Sequence, residues 1–194
     1  MTFHDLVRRA RSIRRFVESE PVPEAVLREL VDIARLVPSG GNQQPLRYRL
    51  VHGAEVRQLD PLVAWAGLLK GWGGPKPGER PAGFILILSD AAKPQPPQTD
   101  IGIAAQTIQL AAAERGYGAC MMGSIKREEI RRVLGIPDAW AVQLAIALGR
   151  PAEKVVLEDV GTGGETRYYR TPDDMHHVPK RRVDDVLIPP VQPK

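Results

Sequence analysis

The chain has 194 residues, with 27 lysines and arginines against 23 aspartates and glutamates, and a single cysteine. One cysteine excludes an intrachain disulfide framework and a cysteine-only metal cluster. It is typical of a reducing compartment, so we expect a cytoplasmic protein. No apolar run approaches the length of a membrane span, and the first residues lack the apolar stretch of a secretory signal. Acidic residues balance the basic ones along the chain, which disfavours a nucleic-acid-binding protein.

Two amphipathic helices are predicted near the start of the chain. Thr2 can cap the first helix, whose apolar residues share one face. Pro23 can open the second helix, whose apolar stripe continues up to Pro38. Each helix is followed by a polar segment that has the composition of a binding site.

The first of these segments is Arg11–Phe16, in which Arg11 and Arg14 flank Ser12. Arginine is the side chain best suited to bind phosphate with two parallel hydrogen bonds, and a neighbouring serine adds a neutral one. The alternative is a basic turn that is simply solvated, which is the commoner outcome for such clusters.

The second polar segment is the loop Pro38–Pro45, which holds two prolines, two glycines and four uncharged polar residues. Gly40 and Gly41 allow the backbone to approach a flat or bulky ligand closely. The polar side chains offer neutral donors and acceptors for the edge of a polar ring. The alternative is a helix stop followed by an ordinary turn.

Further strands and helices are indicated downstream by apolar periodicity and length. Strands are predicted at Tyr48–His52, Phe84–Leu88 and Ala141–Leu148, with another before the turn at Gly123, and helices at Pro61–Lys70, Ile101–Arg115 and Lys126–Leu134. The run Phe84–Leu88 is typical of a central strand buried on both faces. Asp100 is placed to cap the long helix, whose small residues permit close packing inside the domain or across a subunit interface. Strands separated by helices indicate an α/β or α+β layered domain.

Two single residues in this region are also informative. Cys120 lies among apolar neighbours, which favours a buried structural thiol, because a nucleophile would need an adjacent base. Trp72 lies in a loop rich in glycine and proline, where it either covers a ligand or pins the loop to the core.

After residue 151 the periodicity fades and the chain becomes polar. His176 and His177 are adjacent, so their side chains diverge on most backbones. With no carboxylate at helical metal spacing, a zinc site is not expected. Lys180–Arg182 is either a solvated charge run before a short docked strand or the second half of an anion site whose first half is Arg11–Arg14.

Two basic clusters, a polar loop and a glycine turn, without a catalytic triad or a metal set, favour chemistry supplied by an organic cofactor that carries a phosphate and a polar ring. These segments resemble the nitroreductase family of FMN-dependent enzymes. The matching segments keep the family's order over nearly the whole chain: Arg11–Phe16, Pro38–Pro45, Asp100–Gln106, the turn to Gly123, and Lys180–Arg182. The loop Trp72–Pro75 and the tail His177–Arg181 are similar to those of a compact subgroup.

The resemblance implies an α+β, nitroreductase-like layered fold in which a mixed, mainly antiparallel sheet is flanked by helices. It also implies an obligate homodimer with an extended C-terminal tail and two FMN sites at the subunit interface. We expect residues 1–151 to form the FMN-binding core and residues 152–194 to form a C-terminal extension of the same domain.

The resemblance also implies three groups of flavin contacts. One chain would hold the phosphate and the pyrimidine side of the ring with Arg11, Ser12, Arg14, Lys180 and Arg182. The other chain would reach the ring with Pro38, Ser39 and Asn42, supported by Gln44. Met122 and Gly123 would pack along the ring. A fixed guanidinium near the pyrimidine would favour the reduced flavin, because reduction places negative charge there.

Two departures from the family's pattern bear on these contacts. Ala10 stands where many members have a further basic residue, which puts part of the phosphate contact in doubt. Leu46 stands where many members have tryptophan, which would widen the substrate channel.

The function implied by the resemblance is an oxidoreductase that takes hydride from NADH or NADPH and reduces a small acceptor such as a nitroaromatic or a quinone. The alternatives are a flavin-fragmenting or dehalogenating member of the same fold, and a non-catalytic flavin or anion binder. A nucleic-acid binder is disfavoured because the basic residues lack an aromatic stacking platform.

Overall fold

The larger sheet is built around a buried antiparallel pair of strands. The computed structural model describes residues 1–69 and 71–190. In it β2 (Gly83–Asp90) pairs with β4 (Trp140–Gly149), β1 (Leu46–Val51) lies outside β2, and β3 (Gly118–Met122) lies outside β4. Every residue of β2 except Asp90 is buried, because helices cover both faces, as the apolar run predicted.

Two long helices pack on one face of this sheet, and a shorter one packs on the other. The long helices are α2 (Glu24–Ala34) and α4 (Gln98–Glu114), and α5 (Arg127–Val133) packs against β4 from the opposite side. The remaining helices are short: α1 (Phe3–Arg9), α3 (Val56–Leu59) and α6 (Val183–Val186). The predicted cap of α1 is confirmed, since the Thr2 hydroxyl accepts from the Asp5 amide.

Alternation along β2 divides the core between the two faces. Ile85 and Ile87 lie in the cluster with α2 and α4, and Phe84 and Leu86 alternate with them and point to the other face. All four are completely buried, and burial of such a side chain stabilises the fold by roughly 1.5–3 kcal/mol. Cys120 is buried too, as predicted.

The chain divides into two compact units, residues 1–66 with 73–152, and residues 67–72 with 153–194. In the smaller unit β5 (Val155–Val160) pairs in parallel with β7 (His176–Arg181), and β6 (Tyr169–Arg170) pairs with β7 in antiparallel fashion. One parallel pair among antiparallel ones gives the predicted α+β fold with mixed, mainly antiparallel pairing. Whether both units form one domain stays a prediction.

The neighbouring histidines of β7 lie on opposite faces of the small sheet. His176 is buried and its ring lies 5.5 Å from that of Tyr168. His177 stacks on Tyr169 with a centroid distance of 4.8 Å. The predicted divergence of the two side chains is therefore confirmed.

Several predicted boundaries are wrong. The predicted helix at Pro61–Lys70 lies earlier, as helical turns over residues 53–62, because Val63 pairs with Ile125 as an isolated bridge and the segment becomes extended. Lys70 itself lies outside the described residues. The second helix ends at Ala34 and not at Pro38.

The strands of the smaller unit were missed by the sequence prediction. In β5 two carboxylates interrupt the apolar alternation, and β6 has only two residues. After Lys180–Arg182 the chain forms the short helix α6 in place of the docked strand that was one of the two alternatives.

Candidate functional site

The segment Arg11–Phe16 lies along the outer side of β3 as extended chain. Ser12 forms a parallel bridge to Ala119, and the Ile13 amide donates to the Ala119 carbonyl at 3.0 Å. Ile13 and Phe16 are buried and fix the segment. The predicted site residues Arg11, Ser12 and Arg14 are half-buried. The larger unit therefore holds this basic segment against the strand that leads to Met122 and Gly123.

Arg11 carries a charge that is partly removed from water. Its Nη2 donates to the Val7 carbonyl at 2.6 Å. Its Nε is buried and has no hydrogen-bond partner in the part of the chain that the structure describes. Burial lowers the pKa of the Arg11 guanidinium. An anion here would supply the missing acceptor, because a guanidinium presents several donors in a fixed fork.

Arg14 and Ser12 are coupled through the backbone. Arg14 Nη1 donates to the Ser12 carbonyl at 3.3 Å, so the guanidinium stays beside the serine. The predicted grouping of Arg11, Ser12 and Arg14 is therefore physically close in one extended segment, and their roles toward a flavin stay a prediction.

Arg127 holds the turn at Gly123, a role that the sequence did not suggest. Arg127 Nη2 donates to the carbonyls of Gly123 at 3.1 Å and Gln143 at 3.3 Å, and its Nε donates to the Val142 carbonyl at 3.1 Å. Met122 beside the turn is buried, and Gly123 is exposed. Arginine in the first turn of a helix opposes the helix dipole, and this unfavourable placement is the local sign that could have pointed to a positioning role.

The loop Pro38–Pro45 is closed by its own polar side chains. The Ser39 hydroxyl accepts from the Gln44 backbone amide at 2.9 Å, and Gln44 Nε2 donates to the side-chain Oδ1 of Asn42 at 3.2 Å. Asn42 and Gln44 both have positive φ angles, 54° and 46°. Left-handed backbone at two non-glycine residues stores strain of the kind that clusters at ligand-binding sites.

Asp100 fixes this loop from a distance, and the prediction that it caps α4 is wrong. The helix begins at Gln98, two residues earlier, so Asp100 lies in its first turn. The carboxylate is buried, and both of its oxygens lie 3.3 Å from the Gly40 amide, which donates to them. The match at Asp100 therefore marks a contact between the helix and the loop.

A cavity of about 250 Å³ lies beside the loop. Its walls include the predicted site residues Pro38, Ser39 and Gln44, together with Leu46 and Tyr48. Burial raises the pKa of the Tyr48 hydroxyl, so it remains a neutral donor and acceptor. Asn42 is exposed on the same loop. The cavity is mostly apolar with a polar rim, which suits a planar organic ligand.

The sheet order keeps the loop and the basic segment apart. The loop leads into β1 and the basic segment lies along β3, and the order β1-β2-β4-β3 makes these the two outer strands. Three strand spacings separate them, roughly 14 Å across the sheet. Within one chain the two predicted halves of the flavin site therefore lie at opposite edges of the sheet.

The remaining predicted residues belong to the smaller unit. Lys180 lies near the end of β7 and Arg182 precedes α6, and both are exposed. Arg170 lies over the Trp72 ring, with Cζ 5.4 Å from its centroid, so Trp72 is packed by its own unit. Whether Trp72 covers a ligand, and whether Lys180 and Arg182 reach a phosphate, stay predictions.

Within residues 1–69 and 71–190 no helix is both long enough and apolar enough to span a membrane.

Known proteins with similar sequences are oxidoreductases by name. A protein of Methanothermobacter thermautotrophicus, provisionally named NADH dehydrogenase/NAD(P)H nitroreductase, is 28% identical over 163 residues, which cover 80% of this chain and 81% of that protein. The NADH dehydrogenase of Thermus thermophilus is 28% identical over 180 residues, covering 74% of this chain and 84% of that protein.

The fold is shared with solved structures. One is the FMN-dependent nitroreductase of Clostridium difficile R20291, at 24% identity and a TM-score of 0.62, covering 77% of this chain and 87% of that one. At this identity the likeness shows the fold. The model of the nitroreductase family matches residues 7–150, which contain the basic segment, the polar loop and the turn at Gly123, and the chain therefore belongs to the nitroreductase family.

Proposed function

We propose that the protein is an FMN-dependent oxidoreductase that takes hydride from NADH or NADPH and reduces a small acceptor such as a nitroaromatic or a quinone. The names of the sequence relatives support NAD(P)H as the donor, and the FMN dependence of the Clostridium structure supports the cofactor. The observation in this chain that carries the proposal is the buried Arg11 Nε, which lacks an acceptor among the described residues.

The residues present fit FMN. A phosphate needs fixed cationic donors, and Arg11 and Arg14 lie in one segment held to β3. A planar ring needs an apolar wall and neutral edge contacts, which Met122 and the cavity at Ser39 and Gln44 offer. When bound, FMN supplies acceptance and donation of hydride.

The chain's own groups then have separate tasks. Arg11 and Arg14 would hold the phosphate and place positive charge beside the pyrimidine edge, and the role of Lys180 and Arg182 toward the phosphate stays a prediction. Ser39 and Asn42, held in their left-handed loop, orient the ring by neutral hydrogen bonds. Buried Met122 excludes water from one side of the ring.

We further propose that the site is shared by the two chains of a homodimer. The sheet order that separates the loop from the basic segment supports this arrangement. An FMN that contacts both halves would bind the basic segment of one chain and the loop Pro38–Pro45 of the other. Leu46, where many relatives have tryptophan, lines the cavity beside the loop, and it would leave room for an acceptor ring.

The flavin and the activity are tested together. The protein should purify yellow, and denaturation should release FMN and not FAD, since the candidate residues fit one terminal phosphate. The loaded protein should oxidise NADPH faster when menadione or nitrofurazone is added under anaerobic conditions. A protein that cannot be loaded with FMN contradicts the proposal. A loaded protein that oxidises neither NADH nor NADPH supports the alternative of a non-catalytic flavin binder.

Complementation tests the shared site. Arg14→Glu and Asn42→Asp lie in different halves, so each homodimer should bind little FMN, with a loss on the order of 3–5 kcal/mol where the reversed charge would face the enclosed phosphate. Co-expressed chains form mixed dimers in about half of the population, and each mixed dimer has one intact site, so FMN occupancy should recover to roughly a quarter of that of the unmodified protein. Mixed dimers proved by tagged pull-down that bind no more FMN than either variant would exclude the shared site.

A further inference from the structure

We propose that the larger unit has a second binding site, for a small aromatic carboxylate, on the sheet face that carries α5. The site is a cavity of about 330 Å³ between β1, the start of β4 and the turn after α5. We call it the Trp140 cavity, and its walls include Arg47, Arg49, Leu88, Ile136, Pro137 and Trp140. Its lining leaves out the basic segment Arg11–Phe16 and the flavin-assigned loop residues Pro38, Ser39, Asn42 and Gln44, although Arg47 and Tyr48 line both this cavity and the one beside the loop.

Arg47 supplies a cation that no carboxylate neutralises in the described part of the chain. Its Nη1 donates to the carbonyls of Gln44 at 3.1 Å and Leu46 at 2.8 Å. These bonds hold the guanidinium at the mouth of the cavity. The neighbouring Arg49 differs, because its Nη2 is bonded to Glu55 at 2.6 Å. Arg47 is thus the group that can bind an incoming anion, and the fork geometry of its N–H donors suits a carboxylate.

The cavity offers a ring-sized apolar surface next to this cation. Leu88 and Ile136 are almost fully buried, at 5% and 7% exposure, and they form its floor with Pro137. The half-buried Trp140 ring forms a wall, and the Trp140 amide donates to the Pro137 carbonyl at 3.0 Å, which fixes the turn. The Arg47 Cζ lies 5.9 Å from the centroid of the Trp140 ring, within cation–π range.

A second, smaller cavity meets the first at Arg47 and Trp140. Its volume is about 130 Å³, and it also contains Lys93 and Asp90, whose charged groups lie 3.8 Å apart. Because this pair is already compensated, the net positive charge at the junction comes from Arg47.

These features select the ligand. A volume near 330 Å³ lies at the lower end of the range for small-molecule pockets, so a single ring or a fused pair fits. The apolar floor and the indole wall favour an aromatic body. The unpaired cation at the rim favours one negative group, so we assign the site to an aromatic carboxylate.

The test uses the FMN-loaded protein and 4-fluorobenzoate, followed by ¹⁹F NMR. We expect saturable binding, with nuclear Overhauser contacts from the probe to the indole protons of Trp140. Two probes separate the contributions of charge and ring: 4-fluorobenzamide, which lacks the charge, and fluoroacetate, which lacks the ring. Both should bind at least about tenfold more weakly.

Matched variants complete the test. Arg47→Gln and Trp140→Leu should each weaken 4-fluorobenzoate binding about tenfold or more. Arg28→Gln, which removes an exposed arginine of α2 that pairs with Glu24, should leave it unchanged. Binding that is unaffected by Arg47→Gln, equal binding of the benzamide, or absence of contacts to Trp140 in the unmodified protein would each overturn the proposal. Binding that disappears when FMN is loaded would place the probe in the flavin site and would also overturn it.

Discussion

The buried residues of the larger unit are almost all apolar, whereas His176 is the one described residue of the smaller unit that is buried with its backbone included. In the larger unit side chains such as Phe84 and Ile146 are removed from water on both sides of the sheet. In the smaller unit three strands are held by charged and aromatic groups. The stability of the larger unit therefore depends on close packing of apolar side chains. The stability of the smaller unit depends on the charge state of its polar groups and on their pairing.

Two networks lie on opposite faces of the small sheet. On one face Arg170 pairs with the fully buried carboxylate of Glu153 and with Asp174, and it lies over Trp72. On the other face Glu158 accepts from His177 and from the Tyr169 hydroxyl. A paired buried charge is tolerated, but a single one left without its partner is strongly destabilising. Removal of one partner should therefore affect this unit as much as a cavity affects a core.

The largest effect is expected from the core of the larger unit. Phe84→Ala should lower the free energy of unfolding by about 3–5 kcal/mol, because it removes a completely buried ring and leaves a cavity. Phe3→Ala is the matched control: Phe3 is 72% exposed, and its loss should change stability by less than about 0.5 kcal/mol. Urea unfolding followed by tryptophan fluorescence measures both. If Phe84→Ala lowers the free energy of unfolding by less than about 1 kcal/mol, apolar packing is not the main source of stability of the larger unit.

A slightly smaller effect is expected from the buried pair of the smaller unit. Glu153→Ala leaves Arg170 without its buried partner and should destabilise the unit by about 3 kcal/mol. Amide hydrogen exchange in β7 should accelerate accordingly, while exchange in β2 changes less. Asp174→Asn is the control, because Asp174 is the exposed partner of Arg170. Asparagine tolerates the left-handed backbone at this position, so the variant should lower the free energy of unfolding by less than about 1 kcal/mol. Equal effects of the two variants would show that burial of Glu153 does not matter.

Substitution of one glycine in each unit compares how closely the backbone of the two units is packed. A Cβ on Gly118 would lie 2.7 Å from the Ile13 Cβ, so Gly118→Ala should destabilise the larger unit by about 1–3 kcal/mol. It should also loosen the basic segment and lower FMN occupancy. A Cβ on Gly161 would meet nothing within 4 Å, and Gly161→Ala should be neutral to within about 0.5 kcal/mol. Thermal unfolding and flavin absorbance report the two effects, and a neutral Gly118→Ala would refute the close contact.

The smallest effect concerns pH. The bond from His177, and then that from Tyr169, lower the pKa of Glu158 below its ordinary value of 4.5. Glu158 therefore stabilises the smaller unit above pH 4.5, and this contribution is lost as the pH falls through its lowered pKa. The bond to Glu158 raises the pKa of Tyr169 above 10.0, so that contribution is present below pH 10.0 and is lost as the pH rises through the raised value.

Glu158→Gln should remove most of both pH dependences. Hydrogen exchange in β5 and β7, corrected for the intrinsic rate, should change with pH by a modest factor in the unmodified protein and hardly at all in the variant. Glu165→Gln, at an exposed position of the same unit, is the control. A pH dependence that persists in Glu158→Gln would assign it to another group.

Much of the larger unit could be predicted because its strands and helices carry local patterns. The apolar run around Phe84 is typical of a buried central strand, and the apolar stripe on one face of α2 is typical of a surface helix. The contact of Asp100 with Gly40 could not be predicted, since it joins residues 60 positions apart and an aspartate before an apolar run normally suggests a cap. The residue types of the candidate site were evident, but their separation onto two sheet edges depends on strand order.

The smaller unit could not be predicted for a physical reason. Its strands are stabilised by specific partners such as Glu158 with His177, and Glu158 interrupts the apolar alternation that would reveal β5. Polar pairs leave no periodic trace in one sequence. The role of Lys180 toward a phosphate stays a prediction.

The two outer strands of the larger sheet also bear on the solubility of the protein. An outer strand presents unpaired backbone groups that can recruit another chain and start aggregation. The segment at Ser12 covers part of β3, whereas β1 carries two charged side chains, Arg47 and Arg49, within six residues. If both were valine, β1 would read Leu-Val-Tyr-Val-Leu-Val, an uncharged run of high β-propensity of the kind found in amyloid spines. We therefore expect these two arginines to limit self-association through β1.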